Sequence, residues 1–275
     1  MKTLYLSDLD GTLFDNSGKL PDTARRDLNQ LIGQGILFSA ATARSPVSVM
    51  HLLEGLQLNV PLVLLNGVFL YDPVAQKAVS HAAIDRESAE KAIQIYQNHD
   101  KNPFLFTFDG DRVRYYYTEL RTPEQKDFYR VRSQMQPGCF YHLDTLQVPA
   151  GQDAIYFTIM DCYDDLKPLR DELEATCRVR TAFYHDTYTK YWFLEVFSAG
   201  AGKKNGALAL KAYTGADRIC AFGDNLNDLG LFEAADLRAA VSNAVPELKA
   251  AADVVIGSNE ENGVVQFIAE REMRR

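Results

Sequence analysis

The sequence predicts an α/β protein whose core is a parallel sheet and which carries an inserted α+β module. Two observations support this fold class. In the first and last thirds of the chain, short apolar runs alternate with helical patterns, which is typical of parallel strands covered by helices. In the middle of the chain, β-rich runs and a hairpin signal replace that alternation.

The first third contains three predicted strands and two predicted helices. The strands are the short apolar runs at residues 4–6, 36–41 and 62–65. One helix covers residues 22–34, where Leu28, Leu31 and Ile32 share a face. A second helix begins after Ser45, with Pro46 at its first position. This order predicts a Rossmann-like sheet covered by helices on both faces.

The last third repeats the pattern, with a helix at residues 203–213 and strands at residues 219–222 and 253–256. The middle differs. Asp109 and Gly110 form a turn signal between alternating strands, and further β-rich runs cover residues 155–160 and 193–197. We therefore expect a core domain of residues 1–83 and 191–275 and an inserted cap domain of residues 84–190.

Composition and charge exclude several classes of protein. The 275-residue chain has 29 basic and 37 acidic residues, a net charge of −8, which argues against a nucleic-acid partner. Its four cysteines include no C-x-x-C pair, so neither a disulfide framework nor a thiolate zinc site is expected. No apolar run approaches the ~18 residues that span a bilayer, and Asp8 comes too early for a signal peptide. We expect a cytoplasmic protein without a membrane partner.

Polar residues follow the predicted strands, at the point where each strand ends: Asp8, Thr42, Asn66 and Asp224. Because ligands bind at the carboxyl ends of parallel strands, these residues mark a site. Neighbouring carboxylates repel by ~4 kcal/mol per pair at 4 Å and an effective dielectric constant of ~20, so a cation must accompany them. Oxygen ligands favour Mg²⁺, with Ca²⁺ or Mn²⁺ as alternatives. An acidic turn without a ligand is the simpler alternative.

Taken in order, the motifs resemble those of the haloacid dehalogenase superfamily, specifically its Cof-like branch of type IIB sugar-phosphate phosphatases. They are D-x-D-G-T at residues 8–12, Thr42, Asn66-Gly67, a lysine at a helix start, G-D-x-x-N-D at residues 223–228 and S-N-A at residues 242–244. The resemblance covers nearly the whole chain. One departure is Ala43, where the branch usually has glycine. The position of the inserted module, between Thr42 and Lys203, implies a cap of the C2 type.

The resemblance also implies a reaction through an aspartyl-phosphate. Asp8 would attack phosphorus, and Asp10 would protonate the leaving group and then activate water. Mg²⁺ would be held by Asp8, the backbone carbonyl of Asp10 and Asp224, with Asp228 acting through water or orienting the lysine. Catalytic roles would extend to Thr42 and Lys203, which would grip the phosphoryl oxygens.

Further contacts with the substrate are expected of residues around these motifs, namely Leu9, Gly11, Arg44, Asn66 and Asn227. For Arg44, a contact with the cap and a surface salt bridge remain as alternatives. Two adjacent lysines match the third motif, and an ungapped count from residues 194–197 selects Lys203 over Lys204. In and next to the inserted module, residues 115–117, 184–186 and 191–192 are candidates for sugar contacts, although packing within the module is the commoner explanation.

The expected function is therefore Mg²⁺-dependent hydrolysis of small phosphorylated metabolites, with sugar phosphates as the leading class. A phosphomutase of the same fold and a non-catalytic protein that binds phosphorylated metabolites remain as alternatives. The sequence does not select a particular substrate or an oligomeric state.

Overall fold

A computed structural model describes residues 1–185 and 191–273 of the chain. The chain divides into two compact units, a core unit of Met1–His81 with Gly202–Arg275 and a cap unit of Ala82–Ala201. Within the described residues, no helix is long and apolar enough to cross a membrane.

The two units contain fourteen strands and nine α-helices among the described residues. The strands are β1 (Thr3–Ser7), β2 (Leu37–Ala40), β3 (Leu62–Leu64), β4 (Phe69–Asp72), β5 (Lys77–His81), β6 (Phe104–Phe108), β7 (Val113–Tyr117), β8 (Phe140–His142), β9 (Asp153–Asp161), β10 (Val179–His185), β11 (Trp192–Ser198), β12 (Arg218–Gly223), β13 (Leu237–Val241) and β14 (Val254–Ile256). The helices are α1 (Asp22–Gly33), α2 (Pro46–Leu52), α3 (Arg86–Asn98), α4 (Pro123–Met135), α5 (Tyr163–Thr176), α6 (Lys203–Thr214), α7 (Leu229–Ala234), α8 (Pro246–Ala251) and α9 (Gly263–Met273).

The core unit is built on a five-stranded parallel sheet in the order β14-β13-β12-β1-β2. All five residues of the interior strand β1 are buried, as expected of a strand covered on both faces. The predicted α/β fold class and its parallel core are thereby confirmed. The alternating pattern did not reveal β13, because its residues were counted among the helical segments of the last third.

The third predicted strand occupies a different place from the one expected. β3 pairs antiparallel with β4, and β4 pairs antiparallel with β5, in a separate three-stranded sheet. Its link to the main sheet is a single parallel bridge between Ala41 and Val63. The apolar run at residues 62–65 predicted a strand correctly, but an apolar run does not specify its partner strand.

The cap unit is a six-stranded sheet in the order β10-β11-β9-β6-β7-β8, with helices on both faces. Tyr96 of α3 packs on Phe157 of β9, with ring centroids 5.6 Å apart. Phe128 of α4 packs on Phe104 of β6 at 4.7 Å. Because Phe157 lies opposite Leu105 in the sheet register, and Leu105 and Phe104 point to opposite faces, α3 and α4 cover opposite faces.

The division of the chain differs from the expected boundaries at residues 83/84 and 190/191. β11 was expected in the core domain, but it pairs antiparallel with both β9 and β10 and belongs to the cap sheet. A β-rich run close to a boundary has the same appearance in either domain, so only strand pairing assigns it. Of the expected sugar contacts in the cap, Tyr115 and Tyr116 are buried in its packing, and Asp186 lies outside the described residues.

Candidate active site

The site of the core unit lies where the neighbouring strands β1 and β12 end. Ser7, the last residue of β1, is aligned with Phe222 near the end of β12. The backbone N–H of Asp8 donates to the carbonyl of Phe222 at 3.0 Å. Residues that follow these two strands are therefore neighbours in space, although more than 200 positions separate them in sequence.

Lys203, the first residue of α6, joins two of the predicted carboxylates. Its ammonium Nζ donates to Asp8 Oδ1 and to Asp228 Oδ1, each at 2.6 Å, and all three side chains are buried. The adjacent Lys204 instead pairs with the exposed Glu233 at 3.0 Å. The geometry therefore brings Lys203, and not Lys204, to the carboxylates.

Asp228 has both carboxylate oxygens engaged by donors of the protein. Oδ1 accepts from Lys203, and Oδ2 accepts from the backbone N–H groups of Asp224 at 3.0 Å and Asn225 at 3.2 Å. A Cβ at Gly223 would lie 2.6 Å from the Asp228 Cβ, so the glycine permits this close approach. Asp228 is thus arranged to orient Lys203 and the Asp224 backbone, which matches one of its two expected roles.

The charges of this cluster do not balance within the protein. One ammonium, Lys203, faces three carboxylates, Asp8, Asp224 and Asp228, within 4.8 Å of one another. Burial raises the pKa of Asp8 above its ordinary value, Lys203 lowers it, and Asp228 raises it further. The pKa of Asp224 is raised to about 6, mainly because the carboxyl is partly buried and secondly because the charge of Asp228 is near. Burial acts to lower the pKa of Lys203, but its contacts with Asp228 and Asp8 outweigh burial and raise that pKa.

These residues fit a divalent metal ion. Within residues 1–185 and 191–273, Asp8 Oδ2 and Asp224 Oδ2 accept no hydrogen bond from the protein, whereas the other oxygen of each does. The formal charge of the three carboxylates and Lys203 is −2, which one divalent cation neutralises. Carboxylate oxygens are hard ligands that suit Mg²⁺. Asp8 and Asp224 are therefore the side chains that can hold the ion, and Asp228 supports them.

Asp10 and Arg44 form a pair at the edge of this cluster. Arg44 Nε donates to Asp10 Oδ2 at 2.7 Å and Nη2 donates to Asp10 Oδ1 at 2.6 Å. The hydrogen bond with Asp10 raises the pKa of Arg44. The Asp10 side chain is half exposed. Both carboxylate oxygens of Asp10 thus accept a hydrogen bond from Arg44.

Thr42 and Asn66 are brought together by backbone hydrogen bonds. The N–H of Thr42 donates to Val63 and the N–H of Asn66 donates to Thr42, each at 3.0 Å. Thr42 is buried, and its Oγ1 accepts from the N–H of Arg44 at 3.2 Å. Asn66 has a positive φ of 53°, in the left-handed region that asparagine tolerates.

The remaining expected substrate contacts have different surroundings. Leu9 and Gly11 lie in the turn after β1, directly beside Asp8 and Asp10. Asn227 is exposed and, in the part of the chain that the structure describes, makes no hydrogen bond with the carboxylate cluster. Arg44, for which the sequence left a substrate contact, a cap contact and a salt bridge open, pairs with Asp10.

Two residues at the site were not predicted as functional. Thr12 Oγ1 donates to Asp224 Oδ1 at 2.9 Å, and Asn243 Nδ2 donates to the Gly11 carbonyl at 2.7 Å. Both stand inside motifs that the sequence shows, but a motif does not tell which of its polar side chains contact one another. Their roles follow from hydrogen bonds that only the folded chain displays.

Comparison with known proteins gives the same assignment over nearly the whole chain. The family model of haloacid dehalogenase-like hydrolases matches residues 5–268. A 5-amino-6-(5-phospho-D-ribitylamino)uracil phosphatase of Bacillus subtilis is 28% identical, with 95% of each chain covered. A pyridoxal phosphate phosphatase of Escherichia coli is 25% identical, again with 95% of each chain covered.

Solved structures share the fold. A subclass IIB sugar phosphatase of the same superfamily superposes with a TM-score of 0.76 at 19% identity and covers 99% of both chains. Together with the family match, this places an acidic cluster at the strand ends of a known hydrolase fold. The chain belongs to the haloacid dehalogenase-like hydrolase family and is an enzyme of the phosphatase type within it.

Proposed function

We propose that this phosphatase depends on Mg²⁺ and hydrolyses small phosphorylated metabolites, with sugar phosphates as the leading class, through an aspartyl-phosphate on Asp8. The observation that carries the proposal is the arrangement around Asp8. A buried carboxylate touches the ammonium of Lys203 and shares its surroundings with Asp224, which has an unengaged oxygen. The nucleophile Asp8, the ammonium of Lys203 and the metal ligand Asp224 thus lie next to one another.

Asp8 is the nucleophile in this proposal because, among the described carboxylates of the cluster, only Asp8 combines contact with Lys203 and an oxygen without a protein donor. Attack of an Asp8 carboxylate oxygen on phosphorus forms an acyl phosphate and releases the alkoxide of the substrate. A phosphomonoester carries two negative charges, and Lys203 provides one compensating charge on a buried, preorganised side chain. Bound Mg²⁺ would act as a Lewis acid at the phosphoryl oxygens.

Asp10 is proposed as the acid and then the base of the reaction. It delivers a proton to the leaving oxygen, and it later accepts a proton from the water that cleaves the acyl phosphate. Its two-pronged bond with Arg44 fixes the carboxylate at the rim of the cluster. In this proposal Arg44 serves the reaction by positioning Asp10, rather than by binding the substrate directly.

Phosphate binding is assigned to the turn after β1 and to the end of β2. Leu9 and Gly11 offer backbone N–H groups beside Asp8, and Thr42 offers a buried hydroxyl. Asn66 is held next to Thr42 by its backbone. Asn227 stays a proposed substrate contact, without support from a hydrogen bond to the cluster.

The substrate class rests on the relatives. They include a 5-amino-6-(5-phospho-D-ribitylamino)uracil phosphatase, a pyridoxal phosphate phosphatase and, among solved structures, a sugar phosphatase. The substrates in these names are all small phosphorylated compounds, but the group that carries the phosphate differs among them. A panel of sugar phosphates, sugar-alcohol phosphates and pyridoxal phosphate would therefore separate the candidate substrates.

The proposal is tested with p-nitrophenyl phosphate, with and without Mg²⁺, on the wild type and an Asp8→Asn variant. Asp8→Asn keeps the shape of the side chain and removes the nucleophile, so phosphate release should fall at least 10³-fold. Asp72→Asn is the matched control, because within residues 1–185 and 191–273 the Asp72 carboxylate accepts only from backbone N–H groups of its own turn, those of Val74 and Ala75. EDTA should abolish release by the wild type.

Other outcomes would favour the alternatives. Full activity in EDTA, or in Asp8→Asn, would refute the proposed mechanism. Interconversion of sugar phosphate isomers without net phosphate release would indicate a phosphomutase. Thermal stabilisation by phosphorylated sugars without turnover would indicate a binding protein.

A further inference from the structure

Asn243, in the loop between β13 and α8, connects two separate segments of the core unit. Its side-chain Nδ2 donates to the carbonyl of Gly11 at 2.7 Å. Its Oδ1 accepts from the backbone N–H of Asn259 at 3.0 Å. The amide is exposed, so burial does not explain why both of its polar atoms are engaged with backbone.

The Gly11 peptide that Asn243 holds lies against Asp224. Gly11 has a φ of 75°, and a Cβ at this position would lie 2.5 Å from Asp224 Oδ2. The next residue, Thr12, donates its hydroxyl to Asp224 Oδ1 at 2.9 Å. The position of the Gly11–Thr12 segment therefore decides where both oxygens of the Asp224 carboxylate can lie.

The Asn243 loop also holds the backbone of Asp224. The N–H of Val245 donates to the Asp224 carbonyl at 2.9 Å, and the N–H of Ala244 closes a turn on Val241 at 2.9 Å. The loop therefore contacts Asp224 in two ways. It forms a hydrogen bond with the Asp224 backbone directly, and through Asn243 it holds the Gly11 peptide, which restricts where the Asp224 side chain can lie.

From this geometry we propose that Asn243 is a positioning residue for the metal site, acting through Gly11 and Thr12 on the carboxylate of Asp224. The inference rests on the proposed function, since it takes Asp224 as a metal ligand. Hydrogen-bonded groups behind a metal ligand commonly change metal affinity 10- to 100-fold when they are removed. Asn243→Ala should therefore weaken Mg²⁺ binding about tenfold or more.

Another asparagine of the same unit provides a control for the possibility that Asn243 has a purely structural role. Asn29 of α1 makes the same two kinds of bond: Nδ2 donates to the Gly55 carbonyl at 2.9 Å, and Oδ1 accepts from the Gln57 N–H at 2.7 Å. Among the hydrogen bonds of the described residues, none joins the Asn29 side chain to the carboxylate cluster or to Gly11. Asn29→Ala therefore removes an equivalent pair of bonds without changing the support of Asp224.

The experiment measures the Kd for Mg²⁺ by isothermal titration calorimetry on the full-length wild type, Asn243→Ala and Asn29→Ala, with melting temperatures recorded in EDTA. We expect a Kd raised at least tenfold in Asn243→Ala and unchanged within twofold in Asn29→Ala, at comparable melting temperatures. Excess Mg²⁺ should restore most of the kcat of Asn243→Ala. If the alanine variant does not fold, Asn243→Ser, whose hydroxyl is too short to reach Gly11, replaces it.

Two results would overturn the inference: a Kd for Asn243→Ala within twofold of the wild type, or an equal rise in both variants. Failure of the proposed function looks different, because then the wild type itself would show no Mg²⁺ binding. The calorimetric measurement on the wild type thus separates the two failures.

Discussion

Replacing Asp224 with asparagine should stabilise the metal-free protein while it removes the response to Mg²⁺. Burial and the neighbouring Asp228 raise the pKa of Asp224 from 3.8 to about 6. Each unit of pKa shift corresponds to about 1.4 kcal/mol, so the ionised carboxylate destabilises the folded state by up to about 3 kcal/mol at pH 7.5. Because Asp224 is only partly buried, we expect a gain of about 2 kcal/mol for Asp224→Asn.

The sign of the pH dependence follows from the same shift. The folded-state pKa of Asp224 lies above its unfolded value, so the folded protein binds more protons between about pH 4 and pH 6. In EDTA, the contribution of Asp224 to stability is therefore most favourable at low pH and is lost as the pH rises through 6. Asp224→Asn removes this contribution to the pH dependence.

Thermal melting in EDTA checks both statements. At pH 7.5 the variant should melt roughly 4 to 8 °C above the wild type, and at pH 4 the difference should shrink to less than a third of that. With Mg²⁺, only the wild type should gain stability. The control Asp72→Asn should leave the Mg²⁺ response intact. A variant that melts below the wild type in EDTA at pH 7.5 would refute the reasoning.

Two further changes test the remaining charged contacts. Arg44→Lys cannot form the two-pronged bond with Asp10, so we expect kcat to fall about tenfold at an unchanged melting temperature; an unchanged kcat would show that the pair is not used. In the cap, the backbone N–H of Arg112, with help from Arg114, lowers the pKa of Asp109 to about 2. The ionised Asp109 carboxylate should therefore add about 1 kcal/mol to the free energy of unfolding, after allowance for solvent screening. This stabilisation should be complete above pH 4 and lost as the pH falls to 2. Urea unfolding of Asp109→Asn and wild type should accordingly differ at pH 6 and converge at pH 2, and a difference persisting at pH 2 would contradict this.

The sequence predicted the parallel core from particular features. Short apolar runs between helical patterns placed β1, β2, β12 and β14. Such runs are typical of strands that helices cover on both faces, as the buried β1 and β2 illustrate. The same signal could not place β3 beside β4 or β11 beside β9, since an apolar run carries no information about its partner. Boundaries that depend on pairing were therefore the least accurate part of the prediction.

For the site, the sequence by itself determined which carboxylates follow strands of the parallel sheet, and hence that Asp8 and Asp224 lie along the same edge of that sheet. It determined this because the carboxyl ends of parallel strands share one edge of the sheet. Only the tertiary structure decided the partner of each side chain: Lys203 on Asp8 and Asp228, Arg44 on Asp10, and Asn243 on Gly11. Hydrogen bonds act over about 3 Å, and positions at that scale depend on the packing of the whole unit rather than on any local pattern.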